Sequence, residues 1–203
     1  MTPFKYLQRQ LTRLKIDLLT QRTFLAGQVP SIDNENIIKT ASTNYEELEV
    51  IFFERITLND DDVIVDVGSG KGRVFSYLLY KGLKNKMIGY EINDVVGIKT
   101  RKRLSRFKNV DMRCENIFDH FPEEGNVFYL YNPFKEEMVT QFMHQILKVA
   151  DRDPVILYNN PIHFDVFNNG HFSCEYLDLP VNKYGYNFNC AIIKLNKTKN
   201  TFA

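Results

Sequence analysis

Asp66, Gly68, Ser69, Gly70 and, further along, Glu91 have the types and spacing needed to hold a nucleotide. The stretch Val63-Ile64-Val65-Asp66-Val67-Gly68-Ser69-Gly70-Lys71-Gly72-Arg73 reads as a buried strand, an acid near its end, a glycine turn and the start of a helix. Glycines at 68, 70 and 72 let the backbone turn sharply and admit a ligand where a Cβ would stand in the way. The helix that follows would point its unsatisfied N–H groups into the gap. Glu91, about 20 residues past the loop, sits where an acid accepts hydrogen bonds from ribose hydroxyls. A carboxylate there suits a ribose without a 2′-phosphate.

The spacing of the loop separates it from two common nucleotide motifs. It is G-x-G-x-G, and Arg73 stands where the third glycine of the dinucleotide fingerprint G-x-G-x-x-G would fall. It lacks the Gly-Lys-Ser/Thr of a phosphate-binding P-loop. No metal is signalled, and Cys114, Cys174 and Cys190 have neither C-x-x-C spacing nor an even count, which argues against a zinc site or a disulfide framework. Further polar groups gather after other strands. They are Asn132-Pro133-Phe134, and a wall of Tyr158, Asn160, His163 and Asp165 around Tyr158-Asn159-Asn160-Pro161.

The elements that would position these residues alternate. Phe4, Leu7, Leu11, Leu14 and Leu18 recur at helical spacing, so residues 4–25 form an amphipathic helix. Its stripe is expected to pack on the domain's own surface, with a homodimer seam or a substrate-covering lid as alternatives. A second helix is expected from Ser42-Thr43, where Thr43 and Glu46 have capping-box spacing; Tyr45 on it could cover a bound ligand. Strands then follow at 63–67, 87–91, 110–114, 126–131, 154–158, 171–179 and 187–195, with helices at 71–82, 94–107, 135–149 and near 161–168. The expected fold is α/β: a doubly wound, mainly parallel seven-stranded sheet with helices on both faces and an antiparallel C-terminal hairpin at one edge. Residues 1–41 read as an N-terminal helix and connector, and 42–203 as the single main domain.

In order and interval, Asp66-Val67-Gly68-Ser69-Gly70-Lys71-Gly72, Gly89-Tyr90-Glu91-Ile92, Cys114-Glu115-Asn116-Ile117-Phe118 and Tyr131-Asn132-Pro133-Phe134 resemble the class I, Rossmann-like S-adenosylmethionine-dependent methyltransferases over roughly residues 42–195. The resemblance implies S-adenosylmethionine as cofactor. Asp66 would orient the loop and the cofactor's amino group, the backbone from Gly68 through Ser69 to Gly70 would approach the methionine moiety, and Glu91 would hold the ribose. Ile92 and Ile117 would sandwich the adenine. Asn116 stands where the family usually has Asp, and would accept from the adenine amino group through its carbonyl oxygen. Asn132, Pro133 and Phe134 look like a shortened Asn-Pro-Pro-Tyr/Phe motif, which in related enzymes receives a planar NH₂ group for methylation. The second proline is missing here.

The acceptor is less legible. The chain has 203 residues and a net charge of +1, and no segment approaches a membrane span or a signal-peptide core. Those properties favour a cytoplasmic enzyme acting on a small molecule or saccharide precursor. RNA or protein methylation is the alternative, because charge is locally uneven: Lys5, Arg9, Arg13, Lys15 and Arg22 form one basic run, and Lys99, Arg101, Lys102, Arg103, Arg106 and Lys108 another. A non-catalytic cofactor-binding protein is the third reading.

Overall fold

A computed structural model describes residues 3–25, 43–179 and 188–196. Seven strands form one sheet in the order β3-β2-β1-β4-β5-β7-β6, where β1 is Val63–Val67, β2 Lys86–Tyr90, β3 Val110–Arg113, β4 Val127–Tyr131, β5 Val155–Asn159, β6 Phe172–Leu179 and β7 Phe188–Leu195. The first five run parallel, while β7 pairs antiparallel with both β5 and β6. The expected hairpin therefore exists with β7 as its inner strand; its turn lies outside the described residues.

Every residue of β1 is buried, as both faces of a central parallel strand must be. Its alternate side chains feed two cores. Ile64, with Phe75, Leu78, Met87, Leu104 and Tyr129, packs on one face. Val65 and Val67 pack with Ile88, Phe128, Phe142 and Ile193 on the other. The helices are α1 (Pro3–Gln21), α2 (Tyr45–Glu49), α3 (Arg73–Tyr80), α4 (Asp94–Leu104) and α5 (Glu136–Lys148), with a π-turn at Val50–Glu54 continuing α2. Among the described residues no helix is long and apolar enough to cross a membrane. Cys114, Cys174 and Cys190 are free thiols.

Two local expectations fail for the same reason: polar partners elsewhere in the fold compete better. The capping box does not form. Asn44 is the N-cap of α2 and its side chain does not cap. Thr43 instead pairs its hydroxyl with the buried Tyr129 hydroxyl at 2.9 Å, and Glu46 receives Arg9 and Arg13 at 2.5 and 3.0 Å. The second correction is the orientation of α1. Phe4, Leu7, Leu11 and Leu18 are 68%, 56%, 57% and 47% exposed. The docked face is the polar one, carrying Arg9, Arg13, Asp17 and Gln21, with Ile16 and Thr20 buried beside them. The apolar stripe therefore does not pack on the domain.

Candidate cofactor and acceptor site

The glycine loop is built by left-handed turns. Gly68, Gly70 and Gly72 have φ of 78°, 52° and 72°, a region costly for residues with a Cβ. A Cβ on Gly68 would stand 3.4 Å from Pro133, so the loop and the end of β4 close on each other. The N–H groups of Gly68 and Ser69 both donate to the Tyr90 carbonyl, at 3.0 and 2.8 Å. That contact ties the loop to the end of β2.

Glu91 follows immediately and clamps two segments. One carboxylate oxygen accepts the Gly70 N–H at 2.8 Å, and the other accepts the Asn93 N–H at 2.8 Å. A carboxylate has about four acceptor directions, so two remain for ligand hydroxyls. Burial raises the Glu91 pKa, and the two backbone N–H groups oppose that shift. Asp66 is also buried, and its Oδ2 has no hydrogen-bond partner. Burial, with the Glu91 charge second, holds its carboxyl well above the usual carboxylate range. An orphaned buried acceptor invites a donor from a ligand or water. Together with a loop that a Cβ would obstruct, this donor–acceptor set fits a ribose-bearing cation such as S-adenosylmethionine.

The remaining expected residues are brought to the same edge in different states. Asn116 spends its carbonyl oxygen on the Phe118 N–H at 3.1 Å, which leaves one lone pair and the amide for other partners. Ile117 is buried in the core, whereas Ile92 is 37% exposed. Asn132 adopts φ 40° and is buried, and its Oδ1 accepts the Tyr158 hydroxyl at 3.0 Å. Phe134 is half-buried, with its ring 5.4 Å from Phe118 and 6.3 Å from Phe142. Asn160 is left-handed as well, at φ 49°. Because Tyr131 pairs with Asn159 in register, Asn132-Pro133 and Asn160-Pro161 lie side by side at neighbouring strand ends. Of the other wall candidates, Tyr158 has its pKa pushed up to about 12 by burial, and His163 lies 3.9 Å from Glu136. Asp165 accepts from Asn168. Tyr45 is buried, stacked on Tyr77 and bonded to Asp17 through its hydroxyl, so it acts as a packing residue.

Gln21 had no sequence signal. Its amide donates to the carbonyls of Lys71 and Gly72 at 2.8 and 3.2 Å and to the Ser76 hydroxyl at 2.8 Å. Its oxygen accepts Arg103 Nε at 2.7 Å. Thr100 adds a bond to the Gly70 carbonyl at 2.9 Å. A second group, Glu47, Asn159, Tyr129 and Thr43, is joined by buried hydrogen bonds below the strand ends. Such bonds join residues far apart in the chain, where spacing carries no information.

This arrangement can be set beside known proteins. A tRNA (guanine-N(7)-)-methyltransferase of Mycoplasma mycoides is 29% identical over 89 residues, 42% of this chain and 40% of that protein. Ribosomal RNA small subunit methyltransferase A of Thermotoga petrophila is 33% identical over 64 residues, 32% of this chain and 24% of that protein. The match thus spans less than half of either relative. Among solved structures, a tRNA methyltransferase of B. subtilis superposes with a TM-score of 0.58 at 11% identity, covering 78% of this chain and 68% of that one. A Pyrococcus furiosus methyltransferase gives 0.57 at 14%, covering 94% and 98%. The fold is that of the class I methyltransferases. No family model matches the chain. A mitomycin 7-O-methyltransferase shares this methyltransferase fold at 0.55 and 13% identity, covering 74% and 53%, so the fold by itself does not choose an acceptor.

Proposed function

We propose that the protein is an S-adenosylmethionine-dependent methyltransferase that acts on RNA. The observation that carries the cofactor is Glu91 bridging the Gly70 and Asn93 N–H groups beside the orphaned Asp66 oxygen. The cofactor would supply an electrophilic methyl group, so the protein needs no covalent nucleophile or metal for the transfer; its task is placement and exclusion of water. Glu91 holds the ribose, Asp66 accepts from the amino group, and the bare backbone of Gly68, Ser69 and Gly70 passes close to the methionine chain. Ile92 and Ile117 provide apolar surface for the adenine, and Asn116 its polar edge contact.

Asn132, Pro133 and Phe134 face the acceptor in this reading. The Tyr158 hydroxyl fixes the Asn132 amide, whose oxygen keeps one lone pair for an incoming N–H. RNA is supported over the small molecule or saccharide by two observations. Both curated relatives described above are RNA methyltransferases. The near-neutral net charge also conceals a local excess, since α4 carries Lys99, Arg101, Lys102 and Arg103 against Asp94 alone, and Arg103 and Arg106 bond to Gln21, Leu19 and Thr20 at the end of α1.

The test has two parts. Calorimetry should show binding of S-adenosylmethionine and none of NAD. Tritiated methyl groups should then pass to unfractionated tRNA or rRNA and not to protein. NAD binding in place of S-adenosylmethionine would remove the cofactor assignment. Transfer only to protein or to small molecules would remove the acceptor.

A further inference from the structure

The second basic run opens onto a cavity beside the glycine loop. Thr23, Phe24 and Leu25 just beyond α1, Lys71 of the glycine loop, and Val95, Val96, Lys99 and Arg103 of α4 enclose about 320 Å³. None of Asp66, Gly68, Gly70, Glu91, Asn116 or Ile117 lines it. We propose that this cavity seats one nucleotide of the RNA acceptor away from the methylated position, its phosphate against Lys71, Lys99 and Arg103 and its base on Phe24 and Val95. This assignment rests on the RNA reading given above and names where that RNA is held.

The lining suits a nucleotide better than a simple anion or an apolar ligand. Three cations line the cavity together with Phe24 and Val95, which are 51% and 62% exposed. An aromatic face for a base beside cations for a backbone is the pattern of single-strand recognition. Among the described residues, the helix that supplies Lys99 and Arg103 is itself strongly basic. Asp94 is the only acid of α4, against Lys99, Arg101, Lys102 and Arg103, and Asp17 of α1 is buried against Tyr45 and the Leu25 N–H. Burial, and then Arg103 and Arg73, lower the Lys71 pKa, which a bound phosphate would reverse.

The cavity also reaches the cofactor loop by hydrogen bonds. Arg103 donates to Gln21 and Thr100, which donate in turn to the Lys71, Gly72 and Gly70 carbonyls. A nucleotide held by Arg103 would therefore rest on the same framework that shapes the glycine loop.

Two exposed positions allow a test on the full chain. Anisotropy with labelled polyuridylate and with unfractionated tRNA would be recorded over a potassium chloride series for wild type, Lys99→Glu and Phe24→Ala. Lys99→Glu should weaken binding about tenfold and lower the log–log salt slope by about 1 to 2. Phe24→Ala should weaken it about fivefold with the slope unchanged, because stacking releases no counterions. S-adenosylhomocysteine affinity should stay the same in both. Wild-type RNA binding that neither variant alters would overturn the docking site and leave the RNA reading standing. No RNA binding by wild type at any salt would end both. A parallel loss of S-adenosylhomocysteine affinity would assign the cavity to the cofactor site and overturn the proposal.

Discussion

Asp66 is buried with an unpartnered oxygen and a carboxyl held well above the usual carboxylate range. A folded state that binds its proton more tightly than the unfolded chain loses stability as pH rises from the ordinary carboxylate range through the raised value. Asp66→Asn removes that loss. It should raise the urea midpoint more at pH 8 than at pH 5, with a gain of about 1–2 kcal/mol at the higher pH. The same change should weaken S-adenosylmethionine binding in calorimetry. An equal gain at both pH values would place the cost outside the Asp66 charge. Stability and binding pull in opposite directions here, as expected of an acid kept for a ligand.

At the scale of elements, the glycine loop is held by packing as well as by hydrogen bonds. A Cβ on Gly72 would stand 2.9 Å from Leu104 Cδ1, 2.9 Å from Thr100 Cγ2 and 3.1 Å from Gln21 Nε2. Gly82, also left-handed at φ 87°, would meet nothing within 4 Å. Gly82→Ala should therefore cost only the backbone penalty of about 1 kcal/mol. Gly72→Ala should cost about 1–3 kcal/mol more, read from urea midpoints. Equal costs would mean that α4 yields freely.

The parallel strands and the loop were legible in the sequence because each depends on local chemistry: uninterrupted apolar runs, glycines where φ is positive, and Glu91 at a fixed interval. The capping of α2 was not legible. Thr43 and Glu46 have the right spacing, yet Tyr129 and two arginines of α1 claim them. In the candidate site, Gln21 was invisible for the same reason, since its partners lie 50 or more residues away.

For the whole molecule, periodicity in α1 identified two faces without saying which one docks. The leucines declared the helix amphipathic, and the usual inference turned the apolar side inward. The fold instead uses Arg9, Arg13, Asp17 and Gln21, which find Glu46, Asn44, Tyr45 and the glycine loop. Net charge misleads in a similar way, because a value of +1 averages an acidic segment before β1 with two basic runs, the second of which places Lys99 and Arg103 beside Lys71. Where charge sits bears on RNA more than its sum does.

The inverted docking of α1 also sets how the helix should come loose. Of the helix's own apolar side chains its release newly exposes chiefly Ile16 and the half-buried Leu14, since Phe4, Leu7, Leu11 and Leu18 already meet water. Such an opening should carry a small denaturant dependence and a small heat-capacity change. Partly exposed ion pairs such as Arg9–Glu46 should make it sensitive to salt. In native-state hydrogen exchange, amides of residues 9–21 should open with a urea slope well below that of β1 and β4, and faster as potassium chloride is raised; equal slopes would show that α1 leaves only with the core. Ionic strength, more than heat or urea, should then control how long Gln21 stays on the loop.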